Sequence, residues 1–163
     1  MTKYKDNKEY LELVSDILQN KEFNKLKYNK HHGDNRYEHC LRVSYYSYKI
    51  AKKLKLNIKE VSRAGLLHDF FLDNYKDESF KYKIKMLFEH PKYAYLNSIK
   101  YFDLNELEKN IILSHMFPFG KVLPKYKESV LIDMVDNIMC IYERIYSFSK
   151  QVISLFKKII YTE

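Results

Sequence analysis

Glycine and proline, the residues that turn a chain sharply, number only three each in 163 residues. A sheet-rich fold uses many tight turns built on such residues, and runs that alternate apolar with polar residues are also few. Long stretches rich in Leu, Ile, Lys and Glu take their place, so the chain reads as all-α. Cysteine is nearly missing too: Cys40 and Cys140 lie 100 residues apart, in no C-x-x-C arrangement. That spacing excludes a disulfide framework and a thiol-ligated zinc site, and each cysteine is expected to be a small buried apolar group. No apolar run of about 18 residues is available to span a bilayer. No signal-peptide core opens the chain, so a soluble, cytoplasmic protein with no membrane partner is the expectation. Neither an internal repeat nor a Ser/Gly-rich linker divides the sequence, and its length suits a single domain over residues 1–163.

Acidic residues are in the minority, 21 against 29 basic ones, which gives a formal charge of +8. The excess comes from lysines spread along the whole chain, with only four arginines and no arginine-rich arm. A solvated lysine surface is therefore expected, with a surface that helps attract phosphorylated ligands as the alternative, and nucleic acid is not the expected partner.

What the sequence does have is helical periodicity. A first helix is expected over about residues 7–20, with Leu11, Val14, Ile17 and Leu18 on one side, and a polar connection follows through "NKHHGDN". The next, over about 36–55, reads "RYEHCLRVSYYSYKIAKKL". Its His39, Val43, Tyr46, Ile50 and Leu54 recur at offsets of 4, 3, 4 and 4, which predicts one inward stripe. In a third, about 58–70, Val61, Ala64, Gly65 and His68 share a side. Small Ala64 and Gly65 let a neighbouring helix backbone come close, which brings His39 and His68 within reach of one another. Further helices are expected at about 80–88, 91–101 (opened by Pro91), 104–116, 127–147 and 150–161, with the loop "MFPFGKVLPKY" before the 127–147 helix.

Ionisable residues interrupt these apolar faces. His39, the pair His68-Asp69 in "RAGLLHDFF" and an aspartate of "LIDMVDNIMCIYER" supply imidazole and carboxylate from three helices. Mixed nitrogen and oxygen donors suit Mn, Fe, Co, Ni or Zn. Asp133 and Asp136 lie three apart and face similar directions, so spacing alone leaves both available.

Taken in order, "YEHCLRVSYYSYKIAKKL", "AGLLHDFF" and "LIDMVDNI" resemble the HD superfamily of metal-dependent phosphohydrolases, whose ordered signature is His, His-Asp, Asp. The resemblance covers about residues 30–145, with an N-terminal and a C-terminal helix packed on that core. It implies His39, His68, Asp69 and Asp136 as metal ligands, with Asp133 then an outer or exposed carboxylate. His90 in "FEHPKYAYLNS" and His115 in "EKNIILSHMFP" resemble the extra ligands of the dinuclear branch, which includes bacterial hydrolases of symmetrical diadenosine tetraphosphate. One or two divalent ions are implied, with Asp69 as the bridge and the central catalytic carboxylate. The implied reaction is attack of metal-activated hydroxide on a phosphomonoester or phosphoanhydride bond of a nucleotide.

Many relatives continue the His-Asp pair with lysine or glutamate three residues on, whereas this chain has Leu72, then Asp73 and Asp77. A mononuclear reading therefore needs Asp73 or Asp77 as acid/base, and a dinuclear one needs neither. Arg36, three residues before His39, is the leading phosphate anchor, with Arg42 beside it; a structural salt bridge is the open alternative for Arg36. His31 and His32 read as exposed loop residues, and Phe117 and Phe119 as a substrate lid. Two other readings stay open: a non-catalytic metal- or nucleotide-binding signalling module, and a di-iron oxygenase. The apolar "QVISLFKKIIY" either packs on the domain or forms a homodimer interface.

Overall fold

The computed structural model describes residues 3–31, 34–72 and 79–161. Five of its helices, α1, α2, α3, α5 and α6, begin where short polar side chains satisfy their free N–H groups. Asn7 accepts from the Tyr10 amide at 3.0 Å and opens α1 (Lys8–Gln19). Asn20 opens the single-turn α2 (Lys21–Asn24), and Asn35 opens α3 (Arg36–Leu54) by accepting from the Glu38 amide at 2.9 Å. After α4 (Ile58–Leu67), Ser79 opens α5 (Phe80–Tyr101). Asn105 and Glu108 form a reciprocal capping box at α6 (Glu106–Ser114), and α7 (Lys127–Tyr161) completes the set. The strands among the described residues are the two-residue β1 (Lys30–His31) and β2 (Asp34–Asn35), paired antiparallel just before α3. The fold is all-α, and none of its described helices is long and apolar enough to cross a membrane.

Two expected helix boundaries do not exist. Residues 80–101 form one helix with Pro91 inside it. Proline cannot donate to the Leu87 carbonyl, but Ala94 and Ser98 are buried beyond it, and the His90 ring donates to the Met86 carbonyl at 2.9 Å, next to the gap. The expected helices 127–147 and 150–161 likewise merge into α7, because "YSFSK" holds neither Gly nor Pro to end it.

The core is organised by the approach of α3 to α4. A Cβ placed on Gly65 would lie 2.8 Å from Ser44 Cα, closer than two carbons can come without a shift. Ser44 donates to the Ser62 carbonyl at 2.6 Å and meets the Tyr10 hydroxyl at 2.8 Å, so a chain of small polar groups ties α1, α3 and α4 together. This contact also corrects the expected stripe of α3. His39 and Val43 are buried, but Tyr46 is 40% exposed and Leu54 61%. The face that turns inward instead carries Ser44, Ser47 and Ala51, with Tyr48 buried beside them; at the closest approach, Ser44 against Gly65, only small residues permit so short a distance between backbones.

Candidate metal centre

Four histidines meet in the interior, and three are fixed in the same way. His68 follows the last residue of α4 and His115 the last of α6; each ring reaches back three residues, to the Gly65 carbonyl at 2.8 Å and the Ile112 carbonyl at 2.7 Å. His90 reaches back four, to Met86. A carbonyl only accepts, so in each of these rings Nδ1 carries the hydrogen, which leaves Nε2 as the atom that can present a lone pair to a ligand.

Those Nε2 atoms converge. The Nε2 atoms of His90 and His115 are 2.9 Å apart, and they lie 3.4 and 3.8 Å from Oδ1 of Asp69. Burial, helped by His90 and His68, pushes His115 down to about 3, so its ring is neutral. Two ring nitrogens at that separation either share a proton between them or turn their lone pairs to a common cation. His68 Nε2 is buried with no hydrogen-bond partner among the described residues; the nearest carboxylate oxygen, Asp136 Oδ1, is 3.5 Å away. A buried nitrogen left in this state is costly, and it becomes favourable once it ligates a metal.

His39 is held differently. Its Nε2 is 2.9 Å from Asp136 Oδ1, and its Nδ1 is 3.1 and 3.2 Å from the two oxygens of Glu143. Burial opposes a charge on this ring, but hydrogen bonds to Asp136 and Glu143 outweigh it and push the pKa up to about 10. Burial also raises the Asp136 carboxyl, yet His68 and His39 hold it well below the usual carboxylate range. One donor atom each from His39, His68 and Asp69 lie within 4.8 Å of one another, and the same holds for Asp69, His90 and His115. Asp69 thus belongs to two donor triads at once. The nitrogen and carboxylate donors, the His68 Nε2 without a hydrogen-bond partner among the described residues and the converging Nε2 atoms of His90 and His115 all fit divalent transition ions.

Asp136 reaches the histidines, whereas Asp133 is half-buried to one side, its carboxyl pushed up to about 6 by burial and by Asp136. Cys140 departs from the expectation of full burial: it is half-buried and lies close enough to Asp136 Oδ1, 3.7 Å, to donate its S–H. Burial pushes that thiol up and keeps it protonated. Cys40 is buried, as expected.

Arg36 is 4% exposed; its guanidinium stacks 3.8 Å from the Phe71 ring centre, donates to the Phe71 carbonyl at 2.8 Å and sits 3.5 Å from Asp69 Oδ2. Arg42 donates to Glu143 at 2.7 Å. Both arginines therefore reach the carboxylates of the centre. Phe117 and Phe119 are exposed in the turn after His115, and the backbone of His31 lies in β1. Asp73, Asp77 and His32 lie outside the described residues.

Glu143 is the residue that sequence reasoning overlooked. A signal was present: it follows Asp136 by seven residues, two helical turns, and so shares its face. Glu143→Gln keeps the shape but removes the charge that orients His39, and metal affinity should fall about 10- to 100-fold. Titration of metal-free protein against a chelator of known affinity checks this, with circular dichroism confirming unchanged helix content.

The family model of the HD domain matches residues 36–139, which include His39, His68, Asp69, His90, His115 and Asp136, while Glu143 lies four residues beyond. Searches of curated proteins and of solved structures return no match. With nearly two-thirds of its length inside the match and the histidine–aspartate cluster at the centre of that span, the chain belongs to the HD domain family.

Proposed function

We propose that this protein is a metal-dependent phosphohydrolase that cleaves a phosphomonoester or phosphoanhydride bond in a phosphorylated small molecule, a nucleotide by preference. The observation that carries the reading is the pair of donor triads sharing Asp69. His39, His68, Asp69 and Asp136 would hold one divalent ion, and Asp69, His90 and His115 a second. Ions bound there would lower the pKa of a coordinated water and neutralise phosphate oxygens.

The protein's own groups do the rest. Backbone carbonyls hold the rings of His68, His90 and His115 in place before anything binds, so little ordering is left to be done. Glu143 aims His39 in the same way, and Arg36 steadies Asp69 from behind, which makes it a positioning residue. Burial of the whole cluster strengthens each electrostatic contact within it. A dinuclear centre of this kind needs no added acid/base from Asp73 or Asp77.

The test is elemental analysis of the purified protein joined to a screen of nucleotides, dinucleoside polyphosphates and cyclic nucleotides with Mn, Co and Fe. One or two bound equivalents and release of phosphate or nucleotide are expected. Protein that retains no metal, and hydrolyses nothing when any is added, overturns the proposal; retained metal without hydrolysis would favour a binding module.

A further inference from the structure

Helix α7 outlasts the core it packs on. Up to Glu143 it carries buried residues on one side, but from Arg144 to Ser154 none is buried. Helices in proteins draw most of their stability from an apolar face packed on a neighbour, and this stretch has the face without the neighbour. Met134, Ile138, Ile141, Ile145, Phe148 and Val152 recur at alternating offsets of 4 and 3, and in the sequence Leu155 and Ile159 continue the series. The period is 3.5 residues, the one by which two helices supercoil around each other. Met134, Ile138, Ile141, Ile145 and Phe148 are nevertheless 54–67% exposed.

We infer that α7 of a second copy covers this seam, making a parallel homodimer. Ile138, Ile145, Val152 and Ile159 occupy one of the two apolar positions throughout, and Met134, Ile141, Phe148 and Leu155 the other; β-branched residues at the first position suit two parallel strands when the second is mostly unbranched at Cβ, as it is here at three of its four places. Parallel pairing sets Asn137 and Arg144 against Tyr142 and Ser149 of the other copy, so no like charges oppose one another. Tyr142, 54% exposed, widens the seam. Six such side chains from each copy, at roughly 100 Å² apiece, bury about 1,200 Å² in total, which reaches the range of stable interfaces. Asp136 and Glu143, both buried, fall on the opposite side of the helix, so pairing leaves the metal centre untouched. The inference therefore stands apart from the proposed activity.

Sedimentation equilibrium of the full chain between micromolar and hundreds of micromolar should give twice the 19.9 kDa chain mass. Ile145→Arg with Phe148→Arg should weaken association by on the order of a hundredfold or more. Neither residue touches the core, so metal content and the melting of the domain should stay unchanged; if that pair fails to fold, Ile141→Lys serves the same purpose. A wild-type chain that sediments as a monomer, or as more than two copies, overturns the inference. So does a seam variant that still dimerises, or a monomer that binds anionic phosphatidylserine vesicles through these residues.

Discussion

Asp69→Asn should lower the proposed hydrolysis by about a thousandfold and should lose both of the proposed metal ions together. The side chain keeps its size but not its charge, and it is the only donor common to the two triads, with His90 Nε2 at 3.4 Å and His115 Nε2 at 3.8 Å from the same oxygen. His90→Ala and His115→Ala remove donors from one triad only, so each should lose about one ion and keep the other. The Asp69→Asn change would also leave the Arg36 guanidinium, 3.5 Å away and nearly buried, facing a neutral amide, at a cost of about 1–3 kcal/mol in the metal-free protein. Metal stoichiometry by elemental analysis of the three variants separates the cases. An Asp69→Asn protein that keeps two ions and its rate would show that the triads do not depend on a shared carboxylate.

The sequence disclosed the parts of this centre that follow from helical periodicity. All-α class could be read because almost nothing in the chain makes turns, and the nearness of His39 to His68 because Gly65 stands between their helices with no side chain to hold them apart. Other features depend on distances that no local pattern encodes. Arg36 has the same spacing to His39 whether its guanidinium meets a phosphate or, as here, Phe71 and Asp69. Asp133 and Asp136 occupy similar faces, and only depth separates them. Pro91 signals a helix start in isolation, yet burial of Ala94 and Ser98 carries α5 straight through it. The outer half of the α3 stripe departs from its periodicity for a related reason: large apolar residues at helical spacing point to a buried face, whereas the closest helix contact selects small ones.

That close contact has the second large consequence. Gly65→Val should destabilise the protein by about 3 kcal/mol, the upper end for overpacking, and should lower the melting temperature by roughly 6–12 °C. The first added carbon would meet Ser44 Cα at 2.8 Å and Ile132 Cδ1 at 3.1 Å; the former is backbone and cannot rotate away, so α3 must move off α4. His39 rides on α3 and His68 ends α4, their ring centres 5.3 Å apart, so the same displacement should pull one triad open and weaken metal binding along with stability. Gly120→Ala is the control: its Cβ would meet Met116 at 3.4 Å, an ordinary contact, and the melt should shift by about 0.5 kcal/mol or less. Thermal melts with and without added manganese resolve both effects. Should Gly65→Val melt like the wild type and keep its metal, the spacing of the two histidines would have to be set by something other than the missing side chain at residue 65.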